Sequence, residues 1–320
     1  MPDGGVRRLR VRVARHLGWA RRQGVGRLIE EDQLDPRERR RLAAARQAWV
    51  RDHPGVAPGA QAVFLVGVQR SGTNMLVRGF ETSPAFDVCN ENDRRAFERF
   101  RLRPLPEIRA LVERSGHRWM LFKPLAESHR TVELLEHLGT PTPPRAIWAY
   151  REVDGRVRSA VAKFGPNNLL ALRAIAAGHT QRRISVEGPS REMIELIREG
   201  LSDESLAWIR SLDLDALDAE AGAAVFWCVR NARYFELGLH ERADVILSSY
   251  DRMIADPDAA MRPLCAFLRV GFDPSLVAHV QRRAKPDARP LTLPAAIRAR
   301  CDELGERLDR AEREKAAAAG

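Results

Sequence analysis

Residues 62–80 read AVFLVGVQRSGTNMLVRGF, and this stretch decides the fold. Residues 62–66 form a short, wholly apolar run, which is typical of a strand buried on both faces of a parallel sheet. A loop of mostly small residues follows, and from residue 74 the apolar residues recur at helical spacing. A strand, tight loop and helix start in this order turn backbone N–H groups inward above a helix N-terminus. The stretch therefore predicts a cradle for an anion, most often a phosphate.

The cradle differs from an ordinary Walker A motif. Gly67 and Gly72 have the glycine spacing of Gly-x-x-x-x-Gly-Lys-Ser/Thr. Thr73 and Asn74, however, stand where that motif has its lysine and its magnesium-binding hydroxyl, and a cation, Arg70, lies inside the loop instead. A kinase or NTPase is therefore disfavoured. The sequence predicts a phosphate cradle that carries its own positive charge and has no evident metal ligand.

The sequence GVQRSGT at 67–73 resembles the 5′-phosphosulfate loop of bacterial sulfotransferases that use 3′-phosphoadenosine 5′-phosphosulfate (PAPS), in the Arg-Ser-Gly-Thr form. Two later stretches resemble the same family in the same order. Residues 145–150 read as a strand, with Arg151 at its end and Ser159 eight residues later on a predicted helix, like the family's 3′-phosphate site. Residues 245–251 and a helix start at 256–257 are similar to the family's late strand and Asp-Pro helix. The resemblance spans residues 62–280.

This resemblance implies an α/β protein with a P-loop-like three-layer fold, in which helices flank a central parallel sheet. It implies PAPS as the sulfuryl donor and no metal. A guanidinium gives planar, charge-assisted hydrogen bonds to a phosphate, which suits Arg151, and the Ser159 hydroxyl adds one more bond. The residues implied to hold the donor are Arg70, Ser71, Gly72, Thr73 and Asn74 at the 5′-phosphosulfate, and Arg151 and Ser159 at the 3′-phosphate.

Three residues are candidates for the chemistry, Arg70 in the cradle and two that follow predicted strands. Glu91 follows the strand predicted at 86–89 and matches the carboxylate that acts as general base in the resembling family. An acceptor hydroxyl or amine must lose its proton as it attacks sulfur, so such a base is needed. Lys123 ends the strand predicted at 118–122, where open α/β sheets bind ligands, and is implied to reach the sulfonate. The alternatives are that Glu91 or Asp93 caps a helix predicted over residues 94–100, and that Lys123 is a surface lysine.

The net charge of +10 is concentrated at the N-terminus. Residues 1–28 hold eight arginines and one acidic residue, so the rest of the chain carries a surplus of only three positive charges. The apolar residues of 6–28 fall at helical spacing opposite arginines. Both a membrane-surface helix and a solvated helix fit this pattern. The expected divisions are a basic helical extension at 1–58, a sulfotransferase domain at 59–290 and a charged surface helix at 291–320, with a further helix from Asp35 to about Val50.

The composition limits which classes of protein this chain can belong to. The chain has no apolar run long enough for a transmembrane helix and no signal-peptide pattern, and its four cysteines are widely spaced. We therefore expect a cytoplasmic protein with reduced cysteines, peripheral to the inner membrane face if residues 6–28 form the membrane-surface helix. Because the excess positive charge is concentrated in residues 1–28, we expect no nucleic-acid partner. The acceptor stays open among carbohydrates, glycolipids, small phenols or alcohols, and peptides.

Two other functions also stay open: a P-loop kinase or NTPase, and an arginine-rich protein that binds membranes or nucleic acid without catalysis. Minor candidates are a basic loop with Arg282, Arg283 and Lys285 over the 3′-phosphate, and His129 as a substitute base.

Overall fold

The computed structural model describes residues 36–52, 59–178, 189–282 and 290–319. The chain divides into two compact units, Met1–Asp52 and His53–Gly320. In the first unit, helix α1 covers Pro36–Asp52, as the sequence predicts, while its expected cap, Asp35, and the arginine-rich stretch 6–28 lie outside the described residues. Within the described part of the chain, no helix combines the length and the apolar character that crossing a bilayer requires.

The second unit is built on a five-stranded parallel sheet with the strand order β2-β5-β1-β6-β7. A separate two-stranded hairpin pairs β3 with β4. The strands are β1 Gln61–Gly67, β2 Phe86–Cys89, β3 Phe97–Glu98, β4 Arg101–Leu102, β5 Trp119–Phe122, β6 Arg145–Tyr150 and β7 Val245–Ser249.

Helices cover both faces of this sheet, and the three-layer α/β fold that the sequence predicts is confirmed. The helices are α2 Thr73–Thr82, α3 Leu105–Glu113, α4 Thr131–His137, α5 Val153–Phe164, α6 Asn167–Ala176, α7 Arg191–Glu199, α8 Asp203–Ser211, α9 Ala219–Glu236, α10 Tyr250–Ala255, α11 Pro257–Leu268 and α12 Ala295–Ala319. Short 3₁₀ helices cover Leu125–Arg130 and Pro274–Leu276.

The central strand β1 is buried on both faces, which explains its uninterrupted apolar run. Phe64 and Val66 belong to the core layer beneath α9, whereas Val63 and Leu65 belong to the opposite layer beneath α2 and α11. Alternate residues of a strand point to opposite faces, so one apolar run supplies both cores. All four cysteines are buried and unbridged.

The prediction of a helix over residues 94–100 is wrong, because the chain forms the β3–β4 hairpin there. Arg99 and Phe100 have φ values of 50° and 69°, in the left-handed region, and turn the chain between the two strands. Phe97 and Leu102 then face each other across the ladder and are buried, while Phe100 is 51% exposed. Asp93 therefore caps no helix; it accepts hydrogen bonds from the backbone and side chain of Arg95.

Helix α12 differs from the expected surface helix. It is amphipathic and places Cys301, Leu304 and Leu308 in the core layer that also contains residues of α9. Most of its charged residues lie on the outward face, whereas Glu312 is buried and pairs with Arg252. This helix of 25 residues is therefore part of the folded layer beside the sheet.

The carboxyl ends of all five parallel strands meet at one edge of the sheet. From β1 the chain first builds β2 and β5 on one side, then crosses to build β6 and β7 on the other. The strand order thus reverses beside β1, and in open α/β sheets the crevice at such a reversal is where ligands bind. The cradle after β1, Lys123 after β5 and Arg151 after β6 all lie at this edge.

Candidate functional site

The loop after β1 has a backbone that demands glycine at two points. Gly67 has φ 120° and presses so closely on the backbone of Ala149 in β6 that a Cβ atom there would overlap the Ala149 carbonyl. Gly72 has φ 82° and forms the N-cap of α2, without a side-chain cap. Arg70 also has a positive φ, 72°, although it carries a side chain. Such strained positions cluster at ligand-binding sites, because the surrounding fold holds them for function.

Ser128 fixes the start of this loop. Its Oγ accepts a hydrogen bond of 2.9 Å from the Gly67 N–H, and it also lies 3.0 Å from the Gly67 carbonyl oxygen. Inside the loop, Ser71 is 2% exposed, and its Oγ has no hydrogen-bond partner among the described residues. A buried hydroxyl without a partner costs free energy unless a ligand or water satisfies it. The cradle therefore has a polar atom that fits an anionic oxygen.

The predicted 5′ and 3′ elements touch each other. Arg70 Nε donates a hydrogen bond of 2.9 Å to the Oγ of Ser159 on α5. Ser159 lies on the second turn of that helix, the turn expected from its spacing after Arg151. This contact fixes the direction of the Arg70 guanidinium. It also brings the cradle and the Arg151–Ser159 element into one site.

Arg151 lies at the end of β6 and is held by two aromatic side chains. Its guanidinium carbon is 4.2 Å from the centre of the Tyr250 ring, and its carbonyl accepts a 2.9 Å hydrogen bond from Trp227 Nε1. Gly155 leaves space for the guanidinium, since a Cβ atom there would lie 2.7 Å from Arg151 Nη2. The buried Nε of Arg151 has no hydrogen-bond partner among the described residues. The same Tyr250 ring also contacts Gly72, so it connects Arg151 with the cradle.

Two carboxylates organise the backbone beside Arg151. Glu152 caps α5 by accepting hydrogen bonds from the N–H groups of Asp154 and Gly155. Asp251 in turn accepts a 2.7 Å hydrogen bond from the Glu152 N–H. Burial raises the pKa of both Glu152 and Asp251, and the negative charge of Asp251 raises that of Glu152 further. Because the N-terminus of α5 is already capped by its own glutamate, Arg151 is the group at this strand end that is suited to bind an anion.

Glu91 and Lys123 form a buried ion pair, with 3.5 Å between Oε2 and Nζ. Lys123 Nζ also donates a 2.6 Å hydrogen bond to Oδ1 of Asn74, in the first turn of α2. The Lys123 side chain is only 5% exposed, so the alternative of a surface lysine is wrong. Burial raises the pKa of Glu91, and the charge of Lys123 offsets only part of this effect. Burial likewise lowers the pKa of Lys123, against the charge of Glu91. A carboxylate with a raised pKa is a better proton acceptor near neutral pH.

Two buried arginines were missed by the sequence analysis. Arg156 on α5 donates to the carbonyls of Gln69, in the cradle, and Ala223, at 3.3 and 2.9 Å. Arg230 on α9 donates to the carbonyl of Leu125 at 2.9 Å. Neither arginine forms an ion pair with a described residue, and each keeps one guanidinium nitrogen, Nη2 of Arg156 and Nη1 of Arg230, without a hydrogen-bond partner. The positions of these two arginines in the sequence did not mark them as buried, because arginine is the most frequent charged residue of this chain.

Burial without a counter-ion lowers the pKa of both arginine side chains. Burial, together with the nearby charges of Arg70 and Arg230, lowers the pKa of Arg156 to about 9. Burial and Arg233 lower the pKa of Arg230 to about 10. Both residues remain charged at neutral pH, so this side of the site holds positive charge that the described residues leave uncompensated.

The minor candidates do not join this constellation in the described structure. Arg282 is exposed and pairs with Asp258, while Arg283 and Lys285 lie outside the described residues. His129 lies beside Arg230, and burial and that charge lower its pKa to about 4. His129 is therefore neutral at physiological pH.

No protein-family model and no curated protein matches the chain. Among solved structures, the chain is similar to the sulfotransferase domain from the Synechococcus PCC 7002 olefin synthase. The similarity covers 79% of this chain and 96% of that domain, with 15% sequence identity and a TM-score of 0.42. At this distance the likeness carries no argument about the chemistry, which depends on the site itself.

Proposed function

We propose that this chain is a sulfotransferase that moves a sulfuryl group from PAPS to the hydroxyl or amine of an acceptor. The observation that carries the proposal is the 2.9 Å hydrogen bond from Arg70 Nε to Ser159 Oγ. It joins the two elements that the sequence resemblance assigns to the opposite ends of PAPS. The polar atoms of both elements also suit the donor, because Ser71 Oγ and Arg151 Nε are buried without a partner among the described residues.

In this proposal the cradle holds the 5′-phosphosulfate and Arg151 with Ser159 holds the 3′-phosphate. The donor supplies an activated sulfuryl group with PAP, 3′-phosphoadenosine 5′-phosphate, as the leaving group. Arg70 and Lys123 stabilise the negative charge that develops on the sulfonate oxygens and the leaving phosphate oxygen. Thr73 and Asn74, in the first turn of α2, belong to the part of the cradle that holds the 5′-phosphosulfate, and Asn74 also orients Lys123 through their hydrogen bond.

Glu91 is the general base of the proposal. It accepts the proton of the acceptor hydroxyl or amine while the new bond to sulfur forms and the bond to the leaving phosphate oxygen breaks. Its pKa is raised by burial, and Lys123 lies 3.5 Å away to stabilise the ionised form that is needed before the transfer. The reaction yields a sulfated acceptor and PAP.

The test is calorimetric binding of PAP to the wild type and to Arg151→Ala, with ATP and magnesium as the comparison ligand. The matched control is Arg145→Ala, which removes the same side chain from the opposite end of the same strand. We expect binding of PAP without metal, a loss of about 10- to 100-fold in affinity for Arg151→Ala, equivalent to roughly 1.4–2.8 kcal/mol, and no loss for Arg145→Ala. A preference for ATP with magnesium, or PAP binding that Arg151→Ala leaves intact, would overturn the proposal.

A further inference from the structure

Arg151 and Tyr250 lie side by side at the carboxyl edge of the sheet. In the parallel pairing of β6 with β7, Tyr150 lies opposite Ser249. The next residue of each strand is therefore placed at the same edge, Arg151 after β6 and Tyr250 at the first position of α10. Both residues are half-buried. The topology thus brings an aromatic ring to the arginine that is proposed to bind the 3′-phosphate.

The Arg151 guanidinium packs against the Tyr250 ring and against α5. Its central carbon lies 4.2 Å from the centre of the ring, a distance at which a cation and an aromatic π system attract each other. On α5, Gly155 is so close that a Cβ atom there would lie 2.7 Å from Nη2 and 2.9 Å from Nε. A guanidinium that lies over a ring keeps its N–H groups, which point outward in its own plane, for hydrogen bonds with a phosphate.

Two carboxylates follow directly in the sequence, Glu152 after Arg151 and Asp251 after Tyr250, and both are engaged with the backbone. Glu152 accepts hydrogen bonds from two N–H groups in the first turn of α5. Asp251 accepts a 2.7 Å hydrogen bond from the Glu152 N–H. The buried Nε of Arg151 has no hydrogen-bond partner among the described residues. A guanidinium that is oriented by a ring and keeps an unused buried donor is arranged for a ligand.

The Tyr250 ring also packs against the cradle. A Cβ atom at Gly72 would lie 2.6 Å from Cδ2 of this ring. The absence of a side chain at Gly72 therefore gives the ring its place between the loop and Arg151. One ring thus contacts both parts of the site, the loop that is proposed to hold the 5′-phosphosulfate and the arginine that is proposed to hold the 3′-phosphate.

We propose that Tyr250 is a positioning residue that gives the site its preference for a nucleotide with a 3′-phosphate. It acts through Arg151, because its ring holds the guanidinium at a fixed place relative to the cradle. The inference rests on the proposed function, since it concerns how the donor is recognised. An arginine without this support still attracts a phosphate, but its long side chain must then be ordered each time the ligand binds, which weakens binding.

The test compares PAP with AMP, which has the same adenosine 5′-phosphate but lacks the 3′-phosphate. Calorimetric titration of the full chain, with competition for the weaker ligand, gives both dissociation constants, and their ratio measures the preference for the 3′-phosphate. The variants are Tyr250→Leu, which removes the ring, Tyr250→Phe, which keeps it, Arg151→Ala, and the double variant Tyr250→Leu with Arg151→Ala. The matched control is Phe267→Leu, because the Phe267 ring lies 5.0 Å from the guanidinium of Arg145 at the opposite end of β6. Thermal unfolding shows that each variant is folded.

We expect Tyr250→Leu to reduce the preference for PAP over AMP by about 10-fold, which is within the range of a guanidinium–ring interaction. The loss should come from weaker binding of PAP, with the affinity for AMP nearly unchanged. Tyr250→Phe and Phe267→Leu should retain the preference. Because Tyr250 acts through Arg151, Tyr250→Leu should cause no further loss of preference when Arg151 is already alanine.

The outcomes separate this inference from the proposed function. A preference that survives Tyr250→Leu but is lost in Arg151→Ala overturns the role of Tyr250 and leaves the proposed function standing. The same holds if Tyr250→Leu weakens PAP and AMP equally, or if the losses of the two single variants add in the double variant. A wild type that binds PAP no better than AMP overturns the proposed function and this inference together.

Discussion

The two sides of the cradle handle buried positive charge in opposite ways. On the β5 side, Lys123 is buried beside Glu91 and bonded to Asn74, so its charge has a partner within the protein. On the α5 and α9 side, Arg156 and Arg230 are equally buried, but their hydrogen bonds go only to neutral acceptors such as the carbonyls of Ala223 and Leu125. We call the side with Lys123 and Glu91 the compensated side, and the side with Arg156 and Arg230 the uncompensated side. The difference between them indicates two tasks. A compensated pair is suited to move a proton, and uncompensated cations are suited to receive the charge of a ligand.

The largest effect is expected from removing Glu91, the proposed proton acceptor on the compensated side. Glu91→Gln keeps the size and the hydrogen-bonding oxygen of the side chain but cannot take a proton at neutral pH. We expect kcat for sulfuryl transfer to fall by about 10²- to 10⁴-fold. PAP affinity should change little, because the proposed donor contacts lie elsewhere. Glu98→Gln, which alters an exposed carboxylate of the nearby hairpin, is the control and should retain full activity.

A Glu91→Gln enzyme with normal kcat would show that Glu91 and Lys123 form a structural ion pair only. A parallel loss of PAP affinity would mean instead that Glu91 acts through the shape of the site.

The compensated side should also reveal itself in stability. Lys123→Met leaves Glu91 buried without its cation, and breaking such a pair typically costs 3–5 kcal/mol. We expect a loss of about 3 kcal/mol in the free energy of unfolding, at the low end because the Glu91 side chain keeps 20% of its surface exposed. The double variant Lys123→Met with Glu91→Met should recover most of this loss, since an apolar pair replaces the ion pair. Urea unfolding of the three proteins measures the effect, and a double variant no more stable than Lys123→Met would show that the pairing is not what Lys123 contributes.

The uncompensated side should gain stability from an anionic ligand. At 100 times its dissociation constant, PAP is expected to stabilise the wild type by about 2.7 kcal/mol, which raises the melting temperature of a chain of this size by roughly 4–5 °C. In Arg156→Met this rise should be less than half as large at the same PAP concentration, because Arg156 supports the cradle through the Gln69 carbonyl. The control is Arg173→Met, which removes an arginine bonded to the Leu214 carbonyl outside the site. Equal rises in the wild type and Arg156→Met would separate Arg156 from anion binding.

The sequence predicted the compensated side far better than the uncompensated one, for a physical reason. Glu91 and Lys123 each follow a short apolar strand, and the ends of parallel strands meet at one edge, so local patterns are enough to bring them together. Arg156 and Arg230 meet only through the packing of α5 against α9. Nothing in the spacing of two residues 74 positions apart in an arginine-rich chain distinguishes them from surface arginines.

The segment 94–103 shows a second limit of sequence reasoning. Its apolar residues match a helical spacing and a strand spacing about equally well, and the helix was predicted. The outcome depends on Arg99 and Phe100, which adopt left-handed conformations that their residue types do not favour. The hydrogen bond from the Leu102 N–H to the buried Glu127, a partner distant in sequence, holds the hairpin in place.

The smallest effect is expected in the pH dependence of transfer. Glu91 can accept a proton only when it is ionised, and burial raises its pKa above the usual range of a glutamate. The rate should therefore fall as the pH drops through that raised pKa, giving an acid limb at higher pH than an exposed carboxylate would give. Lys123 favours the ionised form, so Lys123→Met should move the acid limb to still higher pH. Lys315→Met removes a lysine of α12 that bonds to the Arg242 carbonyl, and its acid limb should coincide with that of the wild type. If Lys123→Met instead moved the acid limb to lower pH, the base would be a group other than Glu91. The ion pair between Lys123 and Glu91 would then have a structural role and no role in proton transfer.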